Sequence, residues 1–326
     1  MKKKKFIITK TPLRVSFFGG GTDFENFYKK FNGKVISTSI NKYIYVTIKS
    51  QNNFFNEKYR LNYSKTERVK KIDYIRNDII RECLKYTNVK QRLYISTVAD
   101  IPDSTGLGSS SAFTVGLLKG LYELMGKKKT NKELAEIASF IEIKILKNPI
   151  GKQDQYACAL GGCNVIKFYK NNNVKIRKIK NIRFKNYLKD CVLIWTGKYK
   201  KSKSILNDQN RRIHYNISYL KKMLDITNSA EKKIFRDTFY EEEFIKYLKD
   251  NWEQKKKLSN KITNKSVNTI LNKFNNYKYG IKLLGAGGGG FILVFGKNYQ
   301  KIIKKSNLSF FKIKSEDFGS KIVYQE

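Results

Sequence analysis

Residues 103–115 read DSTGLGSSSAFTV, a stretch with no positive charge in a chain whose Lys and Arg number 67 against 27 Asp and Glu. Upstream, RLYISTVADIP (92–102) is a β-branched and aromatic run that stops at Pro102, which predicts a strand. Downstream, Ala112, Val115, Leu118, Leu121 and Met125 recur at helical spacing. The stretch is therefore a strand–loop–helix joint with Ser109, Ser110 and Ser111 at the helix start. A helix start carries unpaired backbone N–H groups and the positive end of the helix dipole, and together these hold phosphate. Gly106 and Gly108 let the loop, Leu107 included, wrap closely around oxygen atoms and turn further N–H groups inward. Backbone dipoles thus replace lysine here. The spacing is not that of a Walker A loop, because no lysine follows the second glycine.

Working outward, KKTNKELAEIASFIEIKIL (128–146) places Thr130 three residues before Glu133, a capping-box pattern. Leu134, Ile137, Ile141 and Ile145 form the apolar stripe of the predicted helix, with Glu142 beside it. Pro149 and Gly151 break the helix before GKQDQ (151–155), so the chain can fold back and bring Asp154 to Glu142. Two carboxylates suit phosphoryl transfer, where one holds Mg²⁺ and the other orients or deprotonates the attacking hydroxyl. Carboxylates on helix flanks are also commonly just solvated. TPLRVSFFGGGTDF (11–24) sets Arg14 on a predicted strand before a glycine turn; an arginine stabilises charge building on a transferring phosphoryl group, and Asp23 suits substrate hydroxyls. YGIKLLGAGGGGFILVF (279–295) is a glycine loop between two apolar runs, and because FILVF reads as a strand a dinucleotide-binding fold is disfavoured.

The whole composition bounds these readings. The chain has 326 residues and a net charge of +40, and its 40% apolar and 13% aromatic content supports a sizeable core. The basic opening MKKKKFIITK has too short an apolar part for a secretory leader, and no apolar run approaches the ~20 residues of a membrane helix. Cys83, Cys158, Cys163 and Cys191 are scattered without a CxxC pair, which points away from zinc or a disulfide framework and toward a reducing cytoplasm. Nucleic-acid binding is one reading of the charge. The lysines, however, run along the whole chain beside abundant Asn, Ile, Tyr and Phe, all encodable by A/T-rich codons, so codon drift accounts for them better. The 3 prolines all lie beside the segments above, and the single histidine, His214, falls in a polar helical stretch read as surface. With no histidine in any motif and the cysteines in apolar settings, positioning and charge stabilisation remain as the available chemistry.

Three segments in this order resemble the GHMP small-molecule kinases: TPLRVSFFGGGTDF as their first motif, IPDSTGLGSSSAFTVGLL (101–118) as their ATP phosphate loop, and KLLGAGGGGFILVF (282–295) as their third. The resemblance covers essentially the whole chain. Galactokinases carry Gly-Glu-His-Thr-Asp in the first motif. Here Gly19, Gly20, Gly21, Thr22 and Asp23 stand instead, which speaks against galactose. GKQDQYACALGG (151–162), LIWTGKYKKSKSIL (193–206) and NWEQKKKLSNKITN (251–264) resemble the branch acting on D-glycero-D-manno-heptose 7-phosphate, with Lys200 where that branch leads one to expect arginine. The resemblance implies ATP-dependent phosphorylation of the anomeric hydroxyl to the 1,7-bisphosphate, feeding nucleotide-heptose and surface-polysaccharide synthesis. Fucose-type kinases share much of the pattern.

The resemblance also implies roles. Asp154 is the catalytic base and Arg14 the cation beside the transferring phosphate. Gly106, Leu107, Gly108, Ser109, Ser110 and Ser111 hold the ATP phosphates, and Glu142 with one serine of the loop, Ser109 or Ser110, holds Mg²⁺. Gly20, Gly21, Thr22, Asp23, Gly287 and Gly288 meet the substrate. The expected architecture is an α+β, two-domain GHMP-kinase-like fold, 1–187 and 188–326, with the site in the cleft between the halves. The second half is expected to start at CVLIWTG (191–197) and to keep its antiparallel sheet to the C-terminus. The lysine patches at 198–203 and 254–257 are cleft-lining or solvated. The expected partners are ATP and a sugar phosphate, with no membrane and no nucleic acid. A basic nucleic-acid binder without catalysis, and a silent kinase relative, are the rival classes.

Overall fold

The computed structural model describes residues 5–199, 202–274 and 278–326; Lys200 lies outside them, and of Ser202 only the backbone is described. The strands are β1 (Phe6–Phe18), β2 (Gly33–Ser50), β3 (Tyr59–Asn62), β4 (Thr66–Val69), β5 (Leu93–Ala99) and β6 (Cys163–Phe168). They continue as β7 (Val174–Lys178), β8 (Cys191–Trp195), β9 (Gly280–Leu283), β10 (Phe291–Phe295), β11 (Phe310–Lys312) and β12 (Lys321–Gln325). The longest, β2, serves two partners: its first half pairs with β6 and its second with β5, while β1 runs antiparallel beside it. The first sheet follows the order β12-β1-β2-β5-β3-β4, with β6 and β7 branching from β2; the second is β11-β8-β10-β9. Along KYIYVTIK the side chains alternate between buried and partly exposed, as the sequence pattern requires of a sheet packed on one face.

Helix Ser109–Leu124 is apolar on nearly every side and lies buried against β1 and β2. Gly116 and Gly120 notch its sheet-facing side. A Cβ at either would come within 2.7 Å of Thr11 Oγ1 or Ile48 Cδ1, so the close approach depends on their absence. That contact places the helix N-terminus, and the loop before it, at the mouth of the sheet.

Two sequence expectations change. The C-terminal strand does not stay with the second sheet: β12 returns to pair with β1, whose outer edge would otherwise carry unpaired backbone groups. The helix predicted over 128–146 is α-helical only over Asn131–Ser139 and continues as a π-helical turn over Phe140–Ile145. The wider turn rotates the register, so Glu142 is fully buried and Ile145 is 37% exposed. The two halves pack tightly on one another. Phe17 of β1 packs on Phe244 at 5.5 Å between ring centroids, and Phe244 on Phe295 of β10 at 4.5 Å, which welds the halves through aromatic contact.

Candidate active site

The glycine–serine loop, the glycine turn after β1 and the helix Gln153–Leu160 meet at one cavity of about 1020 Å³. Arg14 joins them. Its Nε donates to Asp154 Oδ1 at 2.7 Å, Nη2 to Oδ2 at 2.6 Å, and Nη1 to the Gly106 carbonyl at 2.6 Å. Its backbone N–H donates to the Leu107 carbonyl at 2.9 Å. One guanidinium thus clamps the acid against the loop with the fork geometry that only arginine offers. Burial works against the Arg14 charge, but Asp154 holds its pKa above the ordinary value. Gly108 has φ +80°, and a Cβ there would lie 3.2 Å from Arg14 Cγ, so glycine permits both the turn and the clamp.

Asp154 stands in the first turn of its helix and keeps a quarter of its side chain exposed to the cavity. With Arg14 occupying one lone pair on each oxygen, the carboxylate can still accept from an alcohol. Asp23 is almost fully buried. Its Oδ1 accepts from the Gly21 N–H (2.9 Å) and Gln153 Nε2 (3.1 Å), and its Oδ2 from the Gln153 N–H (3.1 Å). Burial pushes its pKa up to about 6, against the pull of these donors. Gly151 must be glycine for this packing, because a Cβ there would overlap Asp23 Oδ2. Glu142 accepts from Ser110 Oγ at 2.7 Å and from Gln155 Nε2 at 2.6 Å, and burial raises its pKa to about 6. The buried Ser109 Oγ has no hydrogen-bond partner.

Of the residues predicted from sequence, Arg14, Gly20, Gly21, Asp23, Gly106, Gly108, Ser109, Ser110, Ser111, Glu142 and Asp154 line this cavity. Leu107 is buried behind the loop, and its carbonyl receives the Arg14 N–H. Thr22 is buried too; its hydroxyl donates to the Gly19 and Lys34 carbonyls, which fixes the turn rather than facing the cavity. Gly287 and Gly288 press on Ile262 and Ile205, while Gly285 and Ala286 of the same loop reach the cavity wall. Sequence reasoning missed Ser16, Gln153 and Lys282, and the apolar end of the cavity at Tyr63, Ile79, Ile101 and Phe113; Lys255, in the 254–257 patch read as cleft-lining or solvated, lines the cavity. Lys255 falls two helical turns after Leu248, on the face that buries Asn251 and Trp252. His214 is exposed, and all four cysteines are buried and free. Among the described residues no helix is long and apolar enough to cross a membrane, and no three His, Cys, Asp or Glu cluster as a metal cage.

Residues 73–162 match the GHMP kinases N terminal domain, and residues 237–307 match the GHMP kinases C terminal region. The chain is 29% identical over 309 residues to a D-glycero-alpha-D-manno-heptose 7-phosphate kinase of Campylobacter jejuni, covering 89% of each chain. It is 28% identical to a mevalonate kinase of Methanocaldococcus jannaschii, over 70% of each. A D-glycero-D-manno-heptose 1-phosphate kinase structure from Bacteriodes thetaiotaomicron superposes with a TM-score of 0.79 at 22% identity, over 98% of this chain and 99% of that one. At that identity the likeness is one of fold.

Proposed function

The chain belongs to the GHMP kinases, ATP-dependent phosphotransferases with an alcohol acceptor, and from that membership we propose that it phosphorylates the anomeric hydroxyl of D-glycero-D-manno-heptose 7-phosphate. The product is the 1,7-bisphosphate, an activated precursor for nucleotide-heptose and surface-polysaccharide synthesis in the cytoplasm. The observation that carries the reading is the Arg14 clamp, which touches the phosphate loop at Gly106 and both oxygens of Asp154. It supports a site in which the donor's terminal phosphate and the acceptor hydroxyl meet within one guanidinium's span.

In this mechanism the N–H groups at the start of helix Ser109–Leu124, with Gly106 and Gly108, hold the β- and γ-phosphates. Asp154 accepts the hydrogen bond of the anomeric hydroxyl and takes its proton as that oxygen bonds to the γ-phosphorus, while the bond from the γ-phosphorus to the β–γ bridging oxygen breaks and ADP leaves. Arg14 meets the charge that gathers on the transferring group. Asp23 braces the Gly20–Gly21 turn against Gln153 and presents its remaining lone pair to a sugar hydroxyl. The unpartnered Ser109 hydroxyl and the buried Glu142 would hold Mg²⁺, which would neutralise charge on the donor phosphates.

The test is ADP release from Mg-ATP with a panel of heptose 7-phosphate, free heptose, L-fucose and mevalonate. Turnover confined to the heptose phosphate supports the proposal. Turnover on L-fucose alone replaces it with a fucose-type 1-kinase, a reading favoured by the 27% identity over 64% of this chain to an L-fucokinase/L-fucose-1-P guanylyltransferase of Bacteroides fragilis. Loss of ATP turnover on every alcohol, with tight salt-sensitive retention of nucleic acid, would sink the kinase reading altogether.

A further inference from the structure

Two lysines are buried in the cavity wall without an acidic partner of their own. Lys255, on helix Glu241–Lys256, is 8% exposed; its Nζ donates to the Leu283 carbonyl at 3.1 Å and the Gly285 carbonyl at 2.5 Å. Lys282, on β9, donates from Nζ to the Phe17 carbonyl at 2.6 Å and to Asn251 Oδ1 at 3.4 Å. Neither makes an ion pair among the described residues. The charged groups facing Lys255 are Arg14 from β1, Lys282 from β9 and Asp154 from helix Gln153–Leu160, and Asp154 is already engaged twice by Arg14. Burying an ammonium without a counter-charge is costly. An ammonium has three N–H donors, and the two carbonyls at the start of the glycine loop take two of those on Lys255. Its side chain forms part of the wall beside Gly285 and Ala286.

We infer that Lys255 is a phosphate-binding residue of the cleft, its third N–H meeting a phosphoryl oxygen that the substrates bring in. The inference rests on the phosphotransferase reading and adds to it the residue that receives the anion. Burial first, and repulsion by Arg14 second, lower the Lys255 pKa to about 7. The amine therefore gains its full charge when an anion arrives, and the anion can be either the γ-phosphoryl of ATP or a phosphate ester on the acceptor.

The test is NMR titration of the full chain with ¹³Cε-labelled lysine, the Lys255 signal being assigned by its disappearance in Lys255→Arg. The midpoint is expected to start near neutrality and to rise by about 1 unit or more with a phosphoryl group bound. A rise with Mg-ATP alone identifies the transferring group. A rise only with heptose 7-phosphate or inorganic phosphate identifies the acceptor's ester. A midpoint unmoved by all three overturns the inference, leaving Lys255 as a pin for the glycine loop. Because Mg-ATP and inorganic phosphate need no turnover, failure here is separate from failure of the acceptor panel. In steady-state assays Lys255→Met is expected to lose about tenfold in kcat or in acceptor affinity, and Lys255→Arg to recover most of it. Equal loss in both, accompanied by a lowered Tm, also overturns it.

Discussion

Asp154 is held by the same guanidinium that touches the phosphate loop, so its substitution separates chemistry from assembly. In Asp154→Asn the amide oxygen still accepts from Arg14 while the proton acceptor is gone. Turnover is expected to fall by about 10² or more with Mg-ATP binding retained, read by ADP release beside calorimetric titration. Unchanged turnover would remove the base assignment. Asp23 sets a pH dependence. Its pKa is raised to about 6, so it is neutral below that pH, loses acceptor strength toward the Gly20–Gly21 turn and toward a sugar hydroxyl, and kcat/KM falls as pH drops through about 6. The sign for stability is opposite. Between the ordinary carboxylate range and pH 6 the folded chain holds a proton that the unfolded chain releases, so this group adds stability as pH falls through that window. Activity at pH 5 should therefore be lost while circular dichroism still reports a folded protein; parallel loss of both would contradict the assignment.

At the scale of elements, the phosphate loop depends on backbone that only glycine adopts easily. Gly108→Ala must place a Cβ at φ +80° and 3.2 Å from Arg14 Cγ. The expected result is a weaker grip on Mg-ATP, by about tenfold, with a stability loss of about 1–2 kcal/mol, measured by nucleotide titration and urea unfolding. Thr130 offers the contrasting case. Its hydroxyl accepts from the Glu133 N–H at 3.2 Å and Glu133 returns to the Thr130 N–H at 2.8 Å, a capping box remote from the loop. Thr130→Ala should cost about 1 kcal/mol in urea unfolding and leave kcat unchanged; lower kcat would mean that this helix transmits strain to Glu142 through the π turn. That turn shows the limit of periodicity. Leu134 and Ile141 face the core as an α-helical stripe requires, yet the added residue per turn sends Glu142 inward and Ile145 outward.

Across the whole molecule, Glu231 fastens helix Ile217–Phe235 to the first sheet, pairing with Lys34 of β2 at 2.6 Å and Lys167 of β6 at 2.8 Å. Glu231→Gln should lower unfolding stability by about 1–2 kcal/mol, since two largely sheltered ammonium groups lose their common partner. Activity at low denaturant should persist, and a loss of kcat instead would mean that the clamp also sets the cleft.

Local chemistry alone dictated much of this: the glycine–serine joint before a helix, the arginine on a strand before a glycine turn, the capping box, and the alternation of β2, because each depends on residues within a few positions of one another. The order of the three glycine segments carried the family and with it the two-domain α+β plan. What tertiary structure decided are contacts between residues far apart in the chain. Only folding could bring β12 back to the edge of β1, aim Arg14 at Gly106 and Asp154 together, and bury Lys255 beside the same site. No periodicity encodes such meetings. They are chosen by which edge still needs hydrogen-bond partners and by which charges can be buried together in one cavity wall.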